Sequence, residues 1–226
     1  MEIEIWSDVL CPFCYIGKRK FEKALEQFEY KNDIKIIWKS FQLDPDYPKT
    51  SPKEEYTSYL EKRKGWSKPQ TQQILDNVTQ MAKSVNLDFH FENAIVANSY
   101  EAHRLLHFAK QQNLQNTLKE VLLEAHFVKG LDIADKSILV ELGKTVGMND
   151  INIQKFLNTN EQSEYVEKDI YEAFQIGVKG VPFFVFNKKF AISGAQDSSI
   201  FLQALQQSFV KPIDQPVNSC DIDGNC

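Results

Sequence analysis

The chain has 226 residues, of which 42% are hydrophobic and 25% charged, and its formal net charge is −5. This composition is typical of a globular protein with one large or two small domains. The acidic balance argues against nucleic-acid binding, and no apolar run approaches the roughly 18 residues of a membrane-spanning helix. We therefore expect neither a nucleic-acid nor a membrane partner.

The N-terminal segment predicts a strand, a helix and a second strand. Residues 1–6 alternate apolar and polar side chains, as a strand does. Apolar residues from Ile16 to Phe28 fit one face of a helix that starts near Tyr15. A second strand is predicted over residues 34–41, before a proline-containing break. This order is a βαβ unit.

The rest of the chain predicts a helical segment followed by a return to mixed structure. Six helices are predicted after the break, over residues 52–64, 69–84, 99–112, 114–128, 135–146 and 151–158. Four further elements follow: a helix over 161–176, strands over 181–186 and 190–192, and a helix over 199–209. We expect residues 1–48 and 161–210 to form one α/β domain, residues 49–160 a helical insertion, and residues 211–226 a mobile tail.

Two cysteines, Cys11 and Cys14, lie where the first strand gives way to the first helix. This spacing places two sulfur atoms within bonding reach, and the helix N-terminus favours a thiolate anion. Position predicts that Cys11 is the exposed nucleophile and Cys14 the buried resolving thiol. The alternative is half of a zinc site, which would need two further ligands.

A second pair, Cys220 and Cys226, lies in the predicted tail. Because Met1–Ile5 lacks a charged-then-apolar export signal, we expect a cytoplasmic protein, where permanent disulfides are not expected. The tail pair could exchange with Cys11 or form a regulatory disulfide. An inert tail and a metal site remain alternatives.

Several segments together resemble the DsbA-type thioredoxin-fold oxidoreductases, and in particular their FrnE-like cytoplasmic branch. The resemblance covers nearly the whole chain and rests on six segments: Trp6-Ser7-Asp8, Cys11-Pro12-Phe13-Cys14, Tyr15-Ile16-Gly17-Lys18, Asn98-Ser99 with Ala102-His103-Arg104, Gly180-Val181-Pro182, and Ile192-Ser193-Gly194-Ala195-Gln196. It implies an α/β thioredoxin fold with a large all-helical insertion.

The resemblance also implies a substrate site around the two cysteines. It predicts that the Val181–Pro182 peptide bond is cis and faces the cysteines, and that a substrate strand pairs with the backbone there. The alternative is a trans bond, the commoner form before proline, with Pro182 as no more than the first residue of a strand. Pro12 and Phe13 would contact substrate. Phe13 stands where exported members usually carry histidine, so we expect a weaker oxidant than theirs.

Three polar residues have open interpretations. His103 and Arg104 match the family pattern and are predicted to line a substrate cleft, although packing within the helical lobe is the alternative. Asp8 could relay protons to the buried thiol or cap the turn. We expect His107 and His126 to be ordinary residues of the helical lobe.

These observations predict a cytoplasmic thiol–disulfide reductase or isomerase acting on protein or small-molecule disulfides. We expect no metal and no tightly bound cofactor, with glutathione or another thiol as electron partner. One rival is a glutathione-dependent enzyme of the kappa transferase or 2-hydroxychromene-2-carboxylate isomerase type, which usually has serine at the position of Cys11. The other is a chaperone-like peptide-binding protein. The sequence leaves the oligomeric state open.

Overall fold

The computed structural model describes residues 1–50 and 54–210 and shows a mixed four-stranded sheet assembled from both ends of the chain. Its strands are β1 (Glu2–Ser7), β2 (Lys35–Ser40), β3 (Phe183–Phe186) and β4 (Phe190–Ser193), in the order β2-β1-β3-β4. β1 pairs with β2 in parallel and with β3 antiparallel, and β4 completes a hairpin with β3. This is the thioredoxin-like sheet that the sequence predicts.

The described part of the chain contains nine α-helices, in the predicted order. They are α1 (Pro12–Glu26), α2 (Tyr56–Lys64), α3 (Lys68–Lys83), α4 (Tyr100–Lys110), α5 (Gln115–Phe127), α6 (Lys136–Thr145), α7 (Asp150–Leu157), α8 (Ser163–Gln175) and α9 (Ser198–Ser208). Within the described ranges, no helix is both long and apolar enough to cross a membrane.

Two element boundaries differ from the predictions in ways that affect the site. Helix α1 begins at Pro12 and not near Tyr15, because proline at the first helical position loses no hydrogen bond. Cys11 is therefore the residue that immediately precedes the helix. Strand β3 begins at Phe183, so Pro182 lies just before the strand.

Alternation along β1 separates two apolar layers. Ile3 and Ile5 face α1 and α9, where Phe21, Phe184 and Phe201 form an aromatic core with ring centroids 4.6–5.8 Å apart. The other face of the sheet carries Trp6 beneath α8. Packing against the sheet thus fixes the position of α1 and, with it, the cysteine pair.

Helix α5 joins the helical lobe to the sheet. The side chain of Gln115 accepts a hydrogen bond from the Trp38 N–H at 3.2 Å and donates to the Trp38 carbonyl at 3.0 Å, which covers part of the β2 edge. Glu120 accepts hydrogen bonds from Tyr15, Lys18 and Arg19 of α1. Helix α5 therefore lies directly behind the helix that carries Cys14. The predicted domain boundaries stay a prediction.

Candidate redox site

The cysteine pair sits at the N-terminus of α1 with both thiols free. Cys11 has an extended backbone (φ −96°, ψ 111°), and its carbonyl accepts a hydrogen bond from the Cys14 N–H at 3.0 Å. Cys11 is 3% exposed and Cys14 is 1% exposed. The expectation that Cys11 is exposed is therefore wrong: in this structure Val181 and neighbouring segments cover it.

The Val181–Pro182 peptide bond is cis, as the resemblance predicts. The Sγ atom of Cys11 lies 3.4 Å from the carbonyl oxygen of Val181, so this loop covers the Cys11 side of the pair. Pro182 packs on Gly17, where an added Cβ would lie 2.9 Å from the proline Cγ. A side chain at position 17 would push α1 away from this loop.

An apolar cavity of about 320 Å³ lies beside Cys11. Segments from both parts of the chain line it, and its wall includes Cys11, Pro12, Phe13, Val181, Tyr56, Leu60, Trp66 and His126. Cys11 borders this cavity, whereas Cys14 lies behind it and is not part of the wall. Four predicted site residues (Cys11, Pro12, Phe13 and Val181) therefore meet at one cavity.

Asp8 lies at the centre of a buried hydrogen-bond network behind the pair. Its carboxylate accepts from the Leu43 N–H at 2.8 Å and the Leu10 N–H at 3.3 Å, and it contacts Nε2 of His103 at 3.2 Å. Burial opposes its ionisation, but the hydrogen bond with His103 and the other contacts lower the pKa of Asp8 overall. Because the Cys11 N–H donates to the Asp8 carbonyl, the network fixes the loop before Cys11.

His103 belongs to this hydrogen-bond network and is not part of the cavity wall. Its side chain is 1% exposed, and burial lowers its pKa even though Asp8 favours the protonated form. The sequence correctly places His103 near the cysteine pair but wrongly on the surface of the substrate cleft.

Arg104 lies away from the cysteines. Its guanidinium donates to the carbonyls of Glu161 at 2.9 Å and Thr159 at 2.6 Å, and to the carboxylate of Glu101 at 2.6 Å. It is 2% exposed. Arg104 therefore ties α4 to the segment between α7 and α8, which corrects the expectation that it lines the cleft.

Sequence reasoning missed Lys119, a buried lysine on α5. It is 1% exposed, and its Nζ lies 5.5 Å from the ring centroid of Trp38. Burial lowers its pKa to about 8, although the negative charges of Cys14 and Asp8 oppose that shift. The signal was available, since Gln115, Lys119 and His126 share one helical stripe with buried leucines.

The two thiols titrate as a pair. Burial opposes the ionisation of Cys14, but its hydrogen bond with Cys11 and the charge of Lys119 lower its pKa overall. The same hydrogen bond, together with burial, raises the pKa of Cys11. One negative charge therefore forms readily on the pair, and a second is strongly disfavoured.

The other two histidines of the lobe differ from each other. His107 contacts Asp169 at 3.0 Å and Ser40 at 3.1 Å, which joins α4 to α8 and β2. His126 is fully buried, borders the cavity, and has no hydrogen-bond partner on either ring nitrogen among the described residues. The expectation of an ordinary lobe residue therefore holds for His107 and not for His126.

The predicted tail pair, Cys220 and Cys226, lies outside the described residues. Within residues 1–50 and 54–210, no group of three or more His, Cys, Asp or Glu side chains is placed to hold a metal ion.

A Cys-x-x-Cys pair at a helix N-terminus, opposite a cis-proline on a four-stranded mixed sheet, defines a thioredoxin-fold dithiol protein. Residues 2–206 match the model of the DSBA-like thioredoxin domain. The chain belongs to this family.

Three similar proteins illustrate the match. A probable DsbA oxidoreductase from Streptomyces coelicolor is 33% identical, with a TM-score of 0.85 over 99% of this chain and 97% of that chain. The uncharacterised Bacillus subtilis (strain 168) protein YwbO is 26% identical over 91% of this chain and 96% of its own length. The cytosolic disulfide reductase DsbM of Pseudomonas aeruginosa, solved with GSH, has a TM-score of 0.65 over 92% of this chain and 98% of that chain. It is 13% identical, so that likeness extends to the fold alone.

Proposed function

We propose that the protein is a thiol–disulfide oxidoreductase that reduces or isomerises disulfides, with Cys11 as nucleophile and Cys14 as resolving thiol. The observation that carries the proposal is the placement of the pair. Cys11 borders the cavity beside Val181, while Cys14 lies behind it in the first turn of α1. A substrate in the cavity can reach the first sulfur and not the second.

The reaction consists of two exchange steps. The thiolate of Cys11 attacks one sulfur of the substrate disulfide, forming a mixed disulfide and releasing the other sulfur as a thiolate. The thiolate of Cys14 then attacks Sγ of Cys11, which releases the second substrate thiolate and leaves a Cys11–Cys14 disulfide. Two electrons pass to the substrate, which takes up two protons, and an external thiol must reduce the pair again.

The surroundings of the pair act on both steps. The N-terminus of α1 and the Cys14 N–H favour negative charge on Cys11, whereas its side-chain hydrogen bond with Cys14 and burial raise the pKa of Cys11 overall. The ammonium group of Lys119 favours negative charge on Cys14, the sulfur that must attack second. Asp8 and His103 hold the preceding loop in place.

Substrates would contact three elements of the site. Phe13 is 38% exposed at the cavity wall, and Pro12 lies beside it. The Val181 backbone precedes β3, where an extended substrate segment could pair with it. Phe13 offers no charge to the nucleophile, which fits a reductase or isomerase better than a strong oxidant.

The direction of electron flow is proposed from the cytoplasmic setting that the sequence predicts. In a reducing compartment an exchange pair rests mainly in its dithiol form unless its own potential is lower still. Reduction or isomerisation of oxidised substrates is the chemistry that a resting dithiol supplies, with glutathione or another thiol restoring it. No tightly bound cofactor enters this cycle.

Reduction of insulin and of glutathione disulfide tests the proposed function. With pre-reduced protein as the only source of thiols, we expect complete reduction of the substrate disulfide to fall at least about 100-fold in Cys11→Ser and in Cys14→Ser. Cys220→Ser with Cys226→Ser is the matched control and should retain turnover in this assay. Unchanged turnover in Cys11→Ser would contradict the proposal.

The same variants distinguish the rival functions. A glutathione-dependent isomerase would tolerate Cys14→Ser, because its chemistry needs no resolving thiol. Suppression of aggregation that survives the double variant Cys11→Ser and Cys14→Ser, without any disulfide turnover in the wild type, would instead favour a chaperone.

A further inference from the structure

His126 is a polar residue in the wall of the cavity and has no hydrogen-bond partner among the described residues. Its side chain is fully buried, and neither Nδ1 nor Nε2 has a hydrogen-bond partner within the described ranges. Buried polar atoms in native proteins are hydrogen bonded in the large majority of cases, since an unmet bond costs stability. An imidazole left in this state beside a cavity points to a partner that enters the cavity.

The packing around His126 is aromatic. Its ring lies edge-on to Tyr56, with centroids 6.4 Å apart, and to Phe127, with centroids 4.5 Å apart. Burial lowers its pKa to about 4, and Asp8 opposes this shift only in part. At neutral pH the ring is therefore uncharged and offers one N–H donor and one nitrogen acceptor. It suits a neutral hydroxyl group better than a carboxylate.

The other residues of the cavity wall indicate the chemical character of the molecule that would bind there. Tyr56, Trp66 and Phe13 supply aromatic surface, and Cys11 borders the same space. A volume of about 320 Å³ lies at the lower end of the range of small-molecule sites, roughly 300–1,000 Å³. These features fit a compact aromatic compound whose polar group lies at the inner end and whose sulfur lies near Cys11.

We propose that the cavity binds low-molecular-weight aromatic disulfides whose ring carries a hydroxyl group, and that His126 selects them through a hydrogen bond to that group. The proposal rests on the proposed thiol–disulfide exchange. Cys11 forms a mixed disulfide with one aromatic sulfur and releases the other as a thiolate. Cys14 then releases the second aromatic thiolate, so the dithiol loses two electrons and the disulfide gains them.

Rapid-quench single-turnover measurements test this selectivity. Pre-reduced protein carrying Cys220→Ser and Cys226→Ser is mixed with bis(4-hydroxyphenyl) disulfide or diphenyl disulfide, and the loss of the Cys11 and Cys14 thiols gives a second-order rate constant for each. Dividing each constant by that of free dithiothreitol with the same compound removes differences in intrinsic reactivity. We expect the wild type to prefer the hydroxylated compound at least tenfold after this correction.

Substitutions of His126 test the role of the ring. His126→Phe conserves the ring and removes the hydrogen bond, so the preference should disappear. His126→Asn keeps a donor and an acceptor and should retain part of it. His90→Phe is the matched control, because the side chain of His90 is 38% exposed and outside the cavity wall, and it should keep the full preference. Circular dichroism verifies that each variant is folded.

Two results would overturn the proposal: no corrected preference in the wild type, or an unchanged preference in folded His126→Phe. Rapid insulin reduction without acceleration of either aromatic disulfide would also overturn it and indicate a peptide occupant. Failure of the proposed thiol–disulfide exchange itself would give a different result. The reduced protein would then react with 2-hydroxyethyl disulfide, a small non-aromatic substrate, no faster than free dithiothreitol does.

Discussion

The Sγ atom of Cys11 lies 3.4 Å from the carbonyl oxygen of Val181, although 170 positions separate the two residues in the sequence. The contact joins the N-terminal βαβ unit to the C-terminal hairpin at the edge of the cavity. Antiparallel pairing of β1 with β3 brings the two segments together, with Trp6 opposite Phe183. The pairing of β1 with β3 thus brings Cys11 and Val181 to the same edge of the cavity.

Lys119→Met should make the thiols less acidic. The positive charge of Lys119 helps to lower the pKa of Cys14, so its removal leaves burial opposed only by the hydrogen bonds to that thiol, chiefly the one with Cys11. With Cys220→Ser and Cys226→Ser also present, the pH midpoint for alkylation of the remaining pair by iodoacetamide should rise. Lys110→Met replaces an exposed lysine at the end of α4 and should leave the midpoint unchanged. An equal midpoint in Lys119→Met and wild type would contradict the role of Lys119.

The same substitution should change the pH dependence of stability. Lys119 has a pKa of about 8 in the folded chain against an ordinary value of 10.5. Between these pH values the unfolded chain holds a proton that the folded chain lacks, so this residue makes stability rise with pH. Relative to wild type, the free energy of unfolding of Lys119→Met should therefore be higher, meaning the variant is more stable, by about 3 kcal/mol more at pH 7 than at pH 10.5. Urea titrations at both pH values measure this difference, and a constant difference would argue against a buried lysine with a lowered pKa.

Arg104→Met should destabilise the fold without removing the chemistry. The substitution leaves the carbonyls of Thr159 and Glu161 without their donor, and loss of such a buried charged partner costs about 3–5 kcal/mol. Thermal unfolding should show a clearly lower Tm. Lys144→Met removes an exposed pair with Glu141 and should change stability by less than about 1 kcal/mol. If folded Arg104→Met instead kept its Tm and lost disulfide turnover, Arg104 would belong to the substrate site after all.

The sequence predicts the sheet, the helix order and the cysteine pair well, because each rests on a local pattern. Strand alternation, the spacing of Cys11 and Cys14, and the proline after Val181 are all visible along the chain. The burial of Cys11 and the contacts of Arg104 depend on segments far apart in sequence, so periodicity could not reveal them. His126 shows the same limit: its position on α5 was predictable, whereas its lack of a hydrogen-bond partner required the packed structure.

Phe13→His should make the pair more oxidising. Phe13 follows the nucleophile by two positions and supplies neither charge nor hydrogen bond, whereas an imidazole there can stabilise the thiolate. The reduction potential should rise by about 30 mV or more, as expected for a tenfold shift in the thiol–disulfide equilibrium. Equilibration with glutathione redox buffers measures it, with Phe13→Leu as the control that keeps an apolar side chain. A potential equal to that of the wild type would show that this position does not tune the pair.

The division of roles between Cys11 and Cys14 is tested most directly by trapping the mixed disulfide. Pre-reduced Cys14→Ser and Cys11→Ser proteins are each incubated with 2-hydroxyethyl disulfide and examined by intact-mass and peptide mass spectrometry. Attack by Cys11 predicts a stable adduct on Cys11 in Cys14→Ser, and an adduct on Cys14 at least tenfold slower in Cys11→Ser, because Cys14 lies behind the cavity wall. Faster modification of Cys14 than of Cys11 would contradict the proposed mechanism.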